Sequence, residues 1–205
     1  MATIHPQQVI QSALEEGVLL RQSCIQVLDQ TLMDAAHLMV KSLQAGHKIL
    51  ACGNGGSAAD AQHFAGELVN RFECNRPALA AIALTHDASV ITSIANDFCF
   101  DVIFSRQVEA LGREGDILLA ISTSGNSKNV INAVDAAAHH GMKVIAVTGG
   151  GGGVLGAHDA VDIHLNINHP STPRVQEMHI TCLHILCTLI DQQMFPEEYL
   201  SSQSV

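Results

Sequence analysis

Residues 48–72 contain the feature that most limits how this chain can fold, because a short apolar run, a glycine-rich turn and a helical segment follow one another. The apolar run 49–52 suits a central strand of a parallel sheet, which is buried on both faces. Gly53, Gly55 and Gly56 allow a tight turn and leave backbone N–H groups open at the start of the helix. The order predicts a phosphate site, although similar turns occur in α/β folds without a ligand.

The same turn partly satisfies a dinucleotide-binding fingerprint. Gly53-x-Gly55-x-x-Ala58 has the required spacing of small residues. The fingerprint also needs an acidic residue about 20 positions further on, after the second strand. The second apolar run ends at Leu84 and the next acidic residue is Asp87, which comes too late. The match to a dinucleotide site is therefore weak.

Two candidate catalytic side chains follow on the predicted helix. His63 and Glu67 are four residues apart, so both lie on one helix face, and Ser57 adds a hydroxyl near the turn. A pair with this spacing is also typical of an ordinary contact on a helix surface. The spacing permits binding and chemistry on one helix without requiring them.

Composition and charge exclude several classes of protein. Hydrophobic residues make up 47% of the 205 residues and aromatic residues only 3%, so we expect small aliphatic side chains between helices and a sheet. No apolar run approaches the roughly 18–20 residues that a membrane-spanning helix needs. The formal charge of -10 disfavours nucleic acid and anionic membranes as partners.

The first residues and the cysteines indicate the compartment. Residues 1–6 lack the basic start and apolar stretch of a signal peptide. The six cysteines form no CxxC pair and mostly lie in apolar segments, which is typical of reduced core thiols. We therefore expect a cytoplasmic protein.

Apolar periodicity divides the chain into three parts. Residues 7–44 have helical spacing that predicts two long helices before any strand, and their apolar surface predicts a homo-oligomer. We assign residues 1–45 to this helical part of a single domain. Residues 46–198 form the α/β part, and residues 199–205 are expected to be a loose polar tail.

Apolar runs alternating with helical segments predict a doubly wound, five-stranded parallel sheet with helices on both faces. The expected strands cover residues 49–52, 77–84, 116–121, 143–148 and 160–165. Ligands of such sheets bind beyond the carboxyl ends of the strands. The glycine turn and the polar loop 122–127 both follow strands, so we expect them to face one crevice. The five glycines at 149–153 predict a loop that is either mobile or folded against a neighbour.

The second polar loop concentrates hydroxyl groups at the start of a helix. Ser122, Thr123, Ser124 and Ser127 lie within six residues, and Gly125 allows the turn. Hydroxyls and free N–H groups at a helix N-terminus can together satisfy phosphate oxygens. An ordinary N-cap needs only one hydroxyl, so the pattern favours a phosphate site and explains how an acidic protein can bind an anion.

Several ordered motifs together resemble those of the phosphoheptose isomerases, also called sedoheptulose 7-phosphate isomerases, which have the sugar isomerase (SIS) fold. The resemblance covers nearly the whole chain. The motifs are Cys52-Gly-Asn-Gly-Gly-Ser57, the His63/Glu67 helix, Ala95-Asn-Asp97, Gly112-Arg-Glu-Gly-Asp116, Ile121-Ser-Thr-Ser-Gly-Asn-Ser127 and Gln176-Glu-Met-His179.

The resemblance implies a cytoplasmic homotetramer with active sites shared between subunits, acting at the entry to ADP-heptose synthesis for lipopolysaccharide core. It implies that the enzyme interconverts sedoheptulose 7-phosphate and D-glycero-D-manno-heptose 7-phosphate. By motif position, the phosphate would contact Ser122, Thr123, Ser124 and Ser127. The rest of the substrate would contact Asn54, Gly55, Gly56, Ser57, Glu67, Asn96, Asp97 and Gln176. Glu67 and His184 match the acid/base pair, and a zinc site of some members matches His63, Glu67, Gln176 and His184.

The implied chemistry agrees with these residue types. A ketose-to-aldose conversion removes a proton from one carbon, passes through an enediol and returns a proton to the next carbon, for which a carboxylate and a second acid/base group suffice. Gln176 and His184 would be about 12 Å apart along one helix, which is a long reach to one metal ion. His179 is a less favoured substitute ligand, and His184 without the resemblance would be interpreted as a buried structural histidine.

Two other functions are compatible with the same fold. The first is a non-catalytic regulator that binds the replication initiator protein, whose ending resembles Leu189-Ile-Asp191 and Phe195-Pro196. That relative lacks the equivalents of Glu67 and His184, which favours the enzyme here. The second is a sugar phosphate sensor, which is disfavoured because no DNA-binding segment is attached.

Overall fold

The computed structural model describes residues 5–203 and contains one five-stranded parallel sheet. The strands are β1 (Ile49–Gly53), β2 (Ala81–Ala83), β3 (Ile117–Ser122), β4 (Lys143–Gly149) and β5 (Ile163–Ile167). Their order in the sheet is β2-β1-β3-β4-β5, and every neighbouring pair is parallel. The predicted doubly wound parallel sheet is confirmed. β2 is shorter than predicted and β5 begins three residues later.

Helices cover both faces of the sheet. They are α1 (Pro6–Gln44), α2 (Gly56–Val69), α3 (Ala88–Asp97), α4 (Ser105–Leu111), α5 (Lys128–His139), α6 (Gly153–Gly156), α7 (Thr172–Met194) and α8 (Pro196–Ser202), with a 3-10 turn at Phe100–Val102. Alternate residues of the central strands enter different cores. Ile117 and Leu119 of β3 pack in the core shared with α1, α2 and α7, whereas Leu118 and Ala120 pack in the core shared with α4 and α5.

The amino-terminal helical part differs from the prediction, because α1 is one continuous helix of 39 residues instead of two helices. Leu20, Cys24, Leu28 and Leu32 are buried in succession at four-residue spacing, so one apolar stripe continues across the expected break. Gly17 lies inside the helix and does not end it. Because α1 shares its core with the sheet, it belongs to the same domain.

The carboxyl end is also more ordered than predicted. α7 ends before Pro196 as expected, but Pro196 then occupies the first turn of α8, where its missing N–H costs nothing. Residues 199–202 are therefore helical and were wrongly assigned to a loose tail, while residues 204–205 lie outside the described part. Of the helices between residues 5 and 203, none is long and apolar enough to cross a membrane.

Candidate active site

Two polar loops leave the sheet side by side at its point of reversal. β1 and β3 are neighbours, although β2 lies on the far side of β1, so the winding direction changes between them. Gly53 at the end of β1 pairs in register with Ile121 of β3. The loop 53–57 and the loop 122–127 thus begin at the same edge, where ligands of such sheets bind, and the predicted proximity of the two loops is confirmed.

A pair of amide side chains ties these two loops together. The Nδ2 of Asn54 donates to Oδ1 of Asn129 at 2.9 Å, and the Nδ2 of Asn129 donates back to Oδ1 of Asn54 at 2.9 Å. Asn129 lies in the first turn of α5 and is almost fully buried. The side chain of Asn54, predicted as a sugar contact, is therefore committed to holding the crevice, and sequence analysis did not identify Asn129 at all.

Substituting Asn129 by Ala should weaken the crevice more than the fold. The change leaves the Asn54 amide without its partner, which costs about 1–3 kcal/mol where the group stays buried. We expect a KM for sugar phosphate raised by roughly three- to tenfold, measured by steady-state kinetics. Asn132→Ala is the matched control, because Asn132 lies on the same helix but its side-chain amide donates to the Asp101 carbonyl at 2.9 Å and not to the first loop. An equal KM effect in both variants would contradict the assignment.

Three of the hydroxyl-bearing residues predicted for the phosphate site form hydrogen bonds within the second loop. Ser122 is buried and its Oγ donates to the Oγ of Ser127 at 3.0 Å, while the Oγ of Ser124 accepts from the N–H of Asn126 at 3.1 Å. Ser127 is the N-cap of α5, and its own hydroxyl makes no capping bond. The N–H of Val130 donates to the Ser127 carbonyl at 3.0 Å, whereas the N–H groups of the two preceding helical residues come before the first acceptor of α5 and can bind an anion together with these hydroxyls.

The glycine-rich segment 149–153 is folded against this second loop. The N–H of Gly149 donates to the Thr123 carbonyl at 3.1 Å, and the N–H of Leu155 donates to the Gly125 carbonyl at 3.0 Å. The Oδ1 of Asn126 accepts from the N–H of Val154 at 3.0 Å. Of the two predicted possibilities for the glycine segment, the structure has the folded one.

Glu67 and His184, the predicted acid/base pair, meet His63, a predicted zinc ligand, between α2 and α7. The Nε2 of His63 lies 3.2 Å from Oε1 of Glu67 and 3.0 Å from Nε2 of His184. The His184 ring also stacks on Phe72, with ring centroids 5.4 Å apart. Glu67 keeps 27% of its side chain exposed and His63 keeps 47%, so a ligand can reach the cluster. His184 is accordingly a member of the site and not a buried structural histidine.

Gln176 lies close to the first loop, residues 53–57, and not to the cluster of His63, Glu67 and His184. A methyl group added at Gly56, the first residue of α2, would overlap the Gln176 side-chain amide. Among residues 5–203 no hydrogen bond joins Gln176 to His63, Glu67 or His184. α7 is regular from Thr172 onward, so the helix itself does not bring Gln176 closer to His184. α2 and α7 lie side by side, with Gln176 beside Gly56 and His184 beside His63.

Two further polar groups lie close to these elements. His179 is fully buried, and its Nε2 donates to the Thr148 carbonyl at 3.0 Å. Burial lowers its pKa, and because the ring is enclosed and its Nε2 is already bonded, His179 is a poor substitute metal ligand. Asp60 lies one turn before His63, and its buried Oδ2 has no partner in the described chain. Burial raises the pKa of the Asp60 carboxyl, while the charge of His63 opposes the shift.

Asn96 and Asp97 are not joined to the crevice within one chain. Both are exposed at the end of α3, and the Asn96 amide donates to Oδ1 of Asp97 at 2.9 Å. Phe98 and Phe100 next to them are 60% and 56% exposed. This exposed surface thus combines a polar pair with two aromatic side chains, and the sugar contacts predicted for Asn96 and Asp97 stay predictions.

The chemistry of the cluster agrees with zinc, but its geometry needs adjustment. Two imidazoles and a carboxylate are typical zinc ligands, and atoms bound to one tetrahedral zinc ion lie about 3.3 Å apart. The contacts of His63 Nε2 at 3.0 and 3.2 Å are close to this spacing. Over residues 5–203, however, no three histidine, cysteine, aspartate or glutamate side chains form a group that could hold a metal ion. The side chains would have to turn toward a common point.

The reversal point and the paired polar loops define an α/β protein whose candidate ligand site lies at the carboxyl ends of its central strands. The SIS domain model matches residues 15–149. The phosphoheptose isomerase of Methylibium petroleiphilum is 50% identical over 95% of this chain and 98% of its own, and that of Aromatoleum aromaticum is 55% identical over 89% and 92%. The chain belongs to the phosphoheptose isomerases of the SIS domain family.

Solved structures agree with this membership. The phosphoheptose isomerase of Neisseria gonorrhoeae superposes with a TM-score of 0.87 at 48% identity, covering 92% of this chain and all of the other. That of Francisella tularensis gives a TM-score of 0.88 at 42% identity with the same coverage. The fold and the family implied by the sequence motifs are both confirmed.

Proposed function

We propose that this chain is an aldose-ketose isomerase that converts sedoheptulose 7-phosphate to D-glycero-D-manno-heptose 7-phosphate. The observation that carries the proposal is the meeting of Glu67 and His184, from α2 and α7, around His63. Full-length similarity to phosphoheptose isomerases supports the same reaction. The product would enter ADP-heptose synthesis for lipopolysaccharide core, which agrees with a cytoplasmic enzyme.

The phosphate end of the substrate would bind at the second loop. Hydroxyls of Ser122, Thr123, Ser124 and Ser127 and the first N–H groups of α5 would donate to phosphate oxygens. The N-terminus of α5 adds a favourable partial positive charge. No cluster of lysine or arginine is needed, so the negative net charge of the protein is not an obstacle.

The carbonyl end would lie along α2, toward Glu67. Glu67 would take the proton from C1 of the ketose and return it at C2, while His184 would move the proton between the two oxygens of the enediol. Gly55, Gly56 and Ser57 would contact the sugar between these ends, with Gln176 beside Gly56. Contacts from Asn96 and Asp97 would come from another subunit.

We propose zinc as a cofactor held by His63, Glu67 and His184, with Gln176 as a fourth ligand after movement of its side chain. A bound zinc ion would stabilise negative charge on the substrate oxygens. The ring nitrogen of His184 cannot bind zinc and transfer protons at the same time, so the metal-bound and acid/base roles would belong to different states of the site.

Metal content tests the zinc proposal without an activity assay. We expect the purified protein to contain close to one zinc per chain by elemental analysis, and His63→Ala to lose at least about tenfold in zinc affinity because a direct ligand is removed. His37→Ala is the control, since His37 lies exposed on α1. Equal zinc content in the two variants would contradict the ligand assignment.

We also propose a homotetramer whose subunits share active sites. The outer face of α1 supports this, because Val9, Ile10, Leu14, Val18 and Leu19 are each more than half exposed, and patches of this kind usually mark interfaces. The exposed end of α3 with Asn96 and Asp97 supports completion of the site by a neighbour. Light scattering at micromolar concentration tests the assembly, and a monomer would contradict it.

The reaction is tested by a coupled assay with sedoheptulose 7-phosphate, with and without a chelator. Formation of the heptose phosphate is expected, and chelation should lower the rate if zinc takes part. A regulator that binds the replication initiator protein would give no turnover. The presence of both Glu67 and His184 favours the enzyme over this alternative.

A further inference from the structure

A buried ion pair joins α2 to α7 on the side away from the two loops. Arg76 lies between α2 and β2, Asp191 lies on α7, and both side chains are fully enclosed. The Nε of Arg76 donates to Oδ1 of Asp191 at 2.7 Å. The Sγ of Cys74 lies 3.5 Å from the other carboxylate oxygen and donates to it. Asp191 is thus bonded on both oxygens.

The same guanidinium binds the backbone at the end of α2. Its Nη2 donates to the Glu67 carbonyl at 2.9 Å, and its Nη1 donates to the Leu68 carbonyl at 2.9 Å. These carbonyls belong to the last turn of α2, which has no intrahelical donors for them. Arg76 therefore connects the backbone of the proposed general base directly to a side chain of α7.

The position of Asp191 on α7 relates this connection to the second acid/base group. Asp191 follows His184 by seven residues, which is about two turns, so both project from nearly the same face of α7. The chain of bonds runs from the Glu67 carbonyl through Arg76 and Asp191 to the helix that carries His184. One planar group thus links the backbone of Glu67 to the side chain of a residue two turns after His184 on the same helix.

Net stability alone is a poor reason for such an arrangement. Removing two charges from water is costly, and well-packed apolar residues of similar volume often replace a buried ion pair without loss of stability. An apolar pair cannot reproduce the directional hydrogen bonds of the ion pair. The planar guanidinium presents several donors in a fixed fork, and here the fork donates to the Asp191 carboxylate on α7 and to two carbonyls at the end of α2.

We propose that Arg76 and Asp191 are positioning residues for the isomerase reaction. Their ion pair fixes α2 against α7, so that the Glu67 carboxylate and the His184 imidazole keep the separation that proton transfer to one substrate requires. The inference rests on the proposed function. The loop 53–57 lies at the other end of α2, about 16 Å along the helix from Glu67, and the loop 122–127 leaves the sheet beside it, so substrate capture does not depend on the pair.

The decisive variant removes both charges at once. In the double variant Arg76→Met with Asp191→Leu, no charge is left unpaired and the space stays filled, but the fork is lost. Because a misplacement of about 1 Å can cost a hundredfold in rate, we expect kcat to fall by roughly 10- to 100-fold. The KM for sedoheptulose 7-phosphate and its dissociation constant from calorimetry should stay within about threefold.

Two further variants separate positioning from folding. Arg76→Lys retains the charge partner of Asp191 but cannot bridge to both carbonyls, so it should show the same kcat loss with KM maintained. Lys143→Met is the control, because it removes the ion pair of Lys143 Nζ with Asp162 at 2.7 Å near the opposite ends of the strands. Its kcat should equal that of the parent protein.

A folded double variant with parental kcat would overturn the proposal. The proposal would also fail if kcat and ligand binding decreased only in proportion to the amount of folded protein. If the double variant does not fold, Arg76→Lys decides by the same criteria. If the parent protein itself fails to turn over the substrate, the proposed function fails separately. Amide hydrogen exchange then tests the connection without turnover, and unchanged protection in the last turn of α2 in the double variant would refute it.

Discussion

Replacing Glu67 by Gln is expected to reduce kcat by about 10³-fold, since general base catalysis contributes roughly 10²- to 10⁴-fold and Gln cannot accept the proton. The side chains are nearly equal in volume, so the melting temperature should change little. KM should stay close to the parental value, because the second loop holds the phosphate end of the substrate. Steady-state kinetics with sedoheptulose 7-phosphate and a thermal melt provide the measurements.

Glu73→Gln is the matched control for this prediction. Glu73 follows the same helix, and its carboxylate makes only a long contact of 3.5 Å with Thr188. Its substitution changes the net charge equally, but it should leave kcat unchanged. Substantial isomerase activity in Glu67→Gln would refute the assignment of Glu67 as the base, and an equal loss in both variants would point to a general charge effect.

The parts of the fold that are set by local pattern were predictable. The fully buried strands β1 and β3 appear as uninterrupted apolar runs, and the two polar loops follow them directly, so their shared edge follows from parallel topology. The continuity of α1 was not predicted, because two apolar segments give the same local signal whether or not the helix breaks between them. Pro196 likewise marks a boundary without saying that a new helix begins there.

The side chains that organise the site were harder to predict than those expected to perform chemistry. His63 and Glu67 share a helix, so their spacing alone indicates a common face. Asn129 and Arg76 act on partners 75 and 115 residues away along the chain. No local pattern indicates such pairs, and a single sequence contains no information on which distant residues meet. The structure therefore reveals mainly the residues that hold the site in place, whereas the candidate reactive residues could already be identified in the sequence.

The substitution Gly125→Ala should disable the second loop. Gly125 has φ +65°, a left-handed conformation that costs other residues about 1–2 kcal/mol. In addition, a methyl group there would overlap the carbonyl oxygen of Gly152. Either the second loop or the glycine segment must then move, which breaks the bond from the Leu155 N–H to the Gly125 carbonyl. We expect KM to rise by at least about tenfold.

Gly150→Ala separates the two causes in that prediction. Gly150 has φ +55°, but nothing lies within 4 Å of an added methyl group. This variant has the same kind of backbone strain without the overlap, so it should lose roughly 2–6 °C in melting temperature and keep its KM within about twofold. A tenfold KM increase only in Gly125→Ala would show that contact between the two loops, and not strain, maintains the phosphate site. A tenfold KM increase in both variants would show that backbone strain alone disrupts the phosphate site.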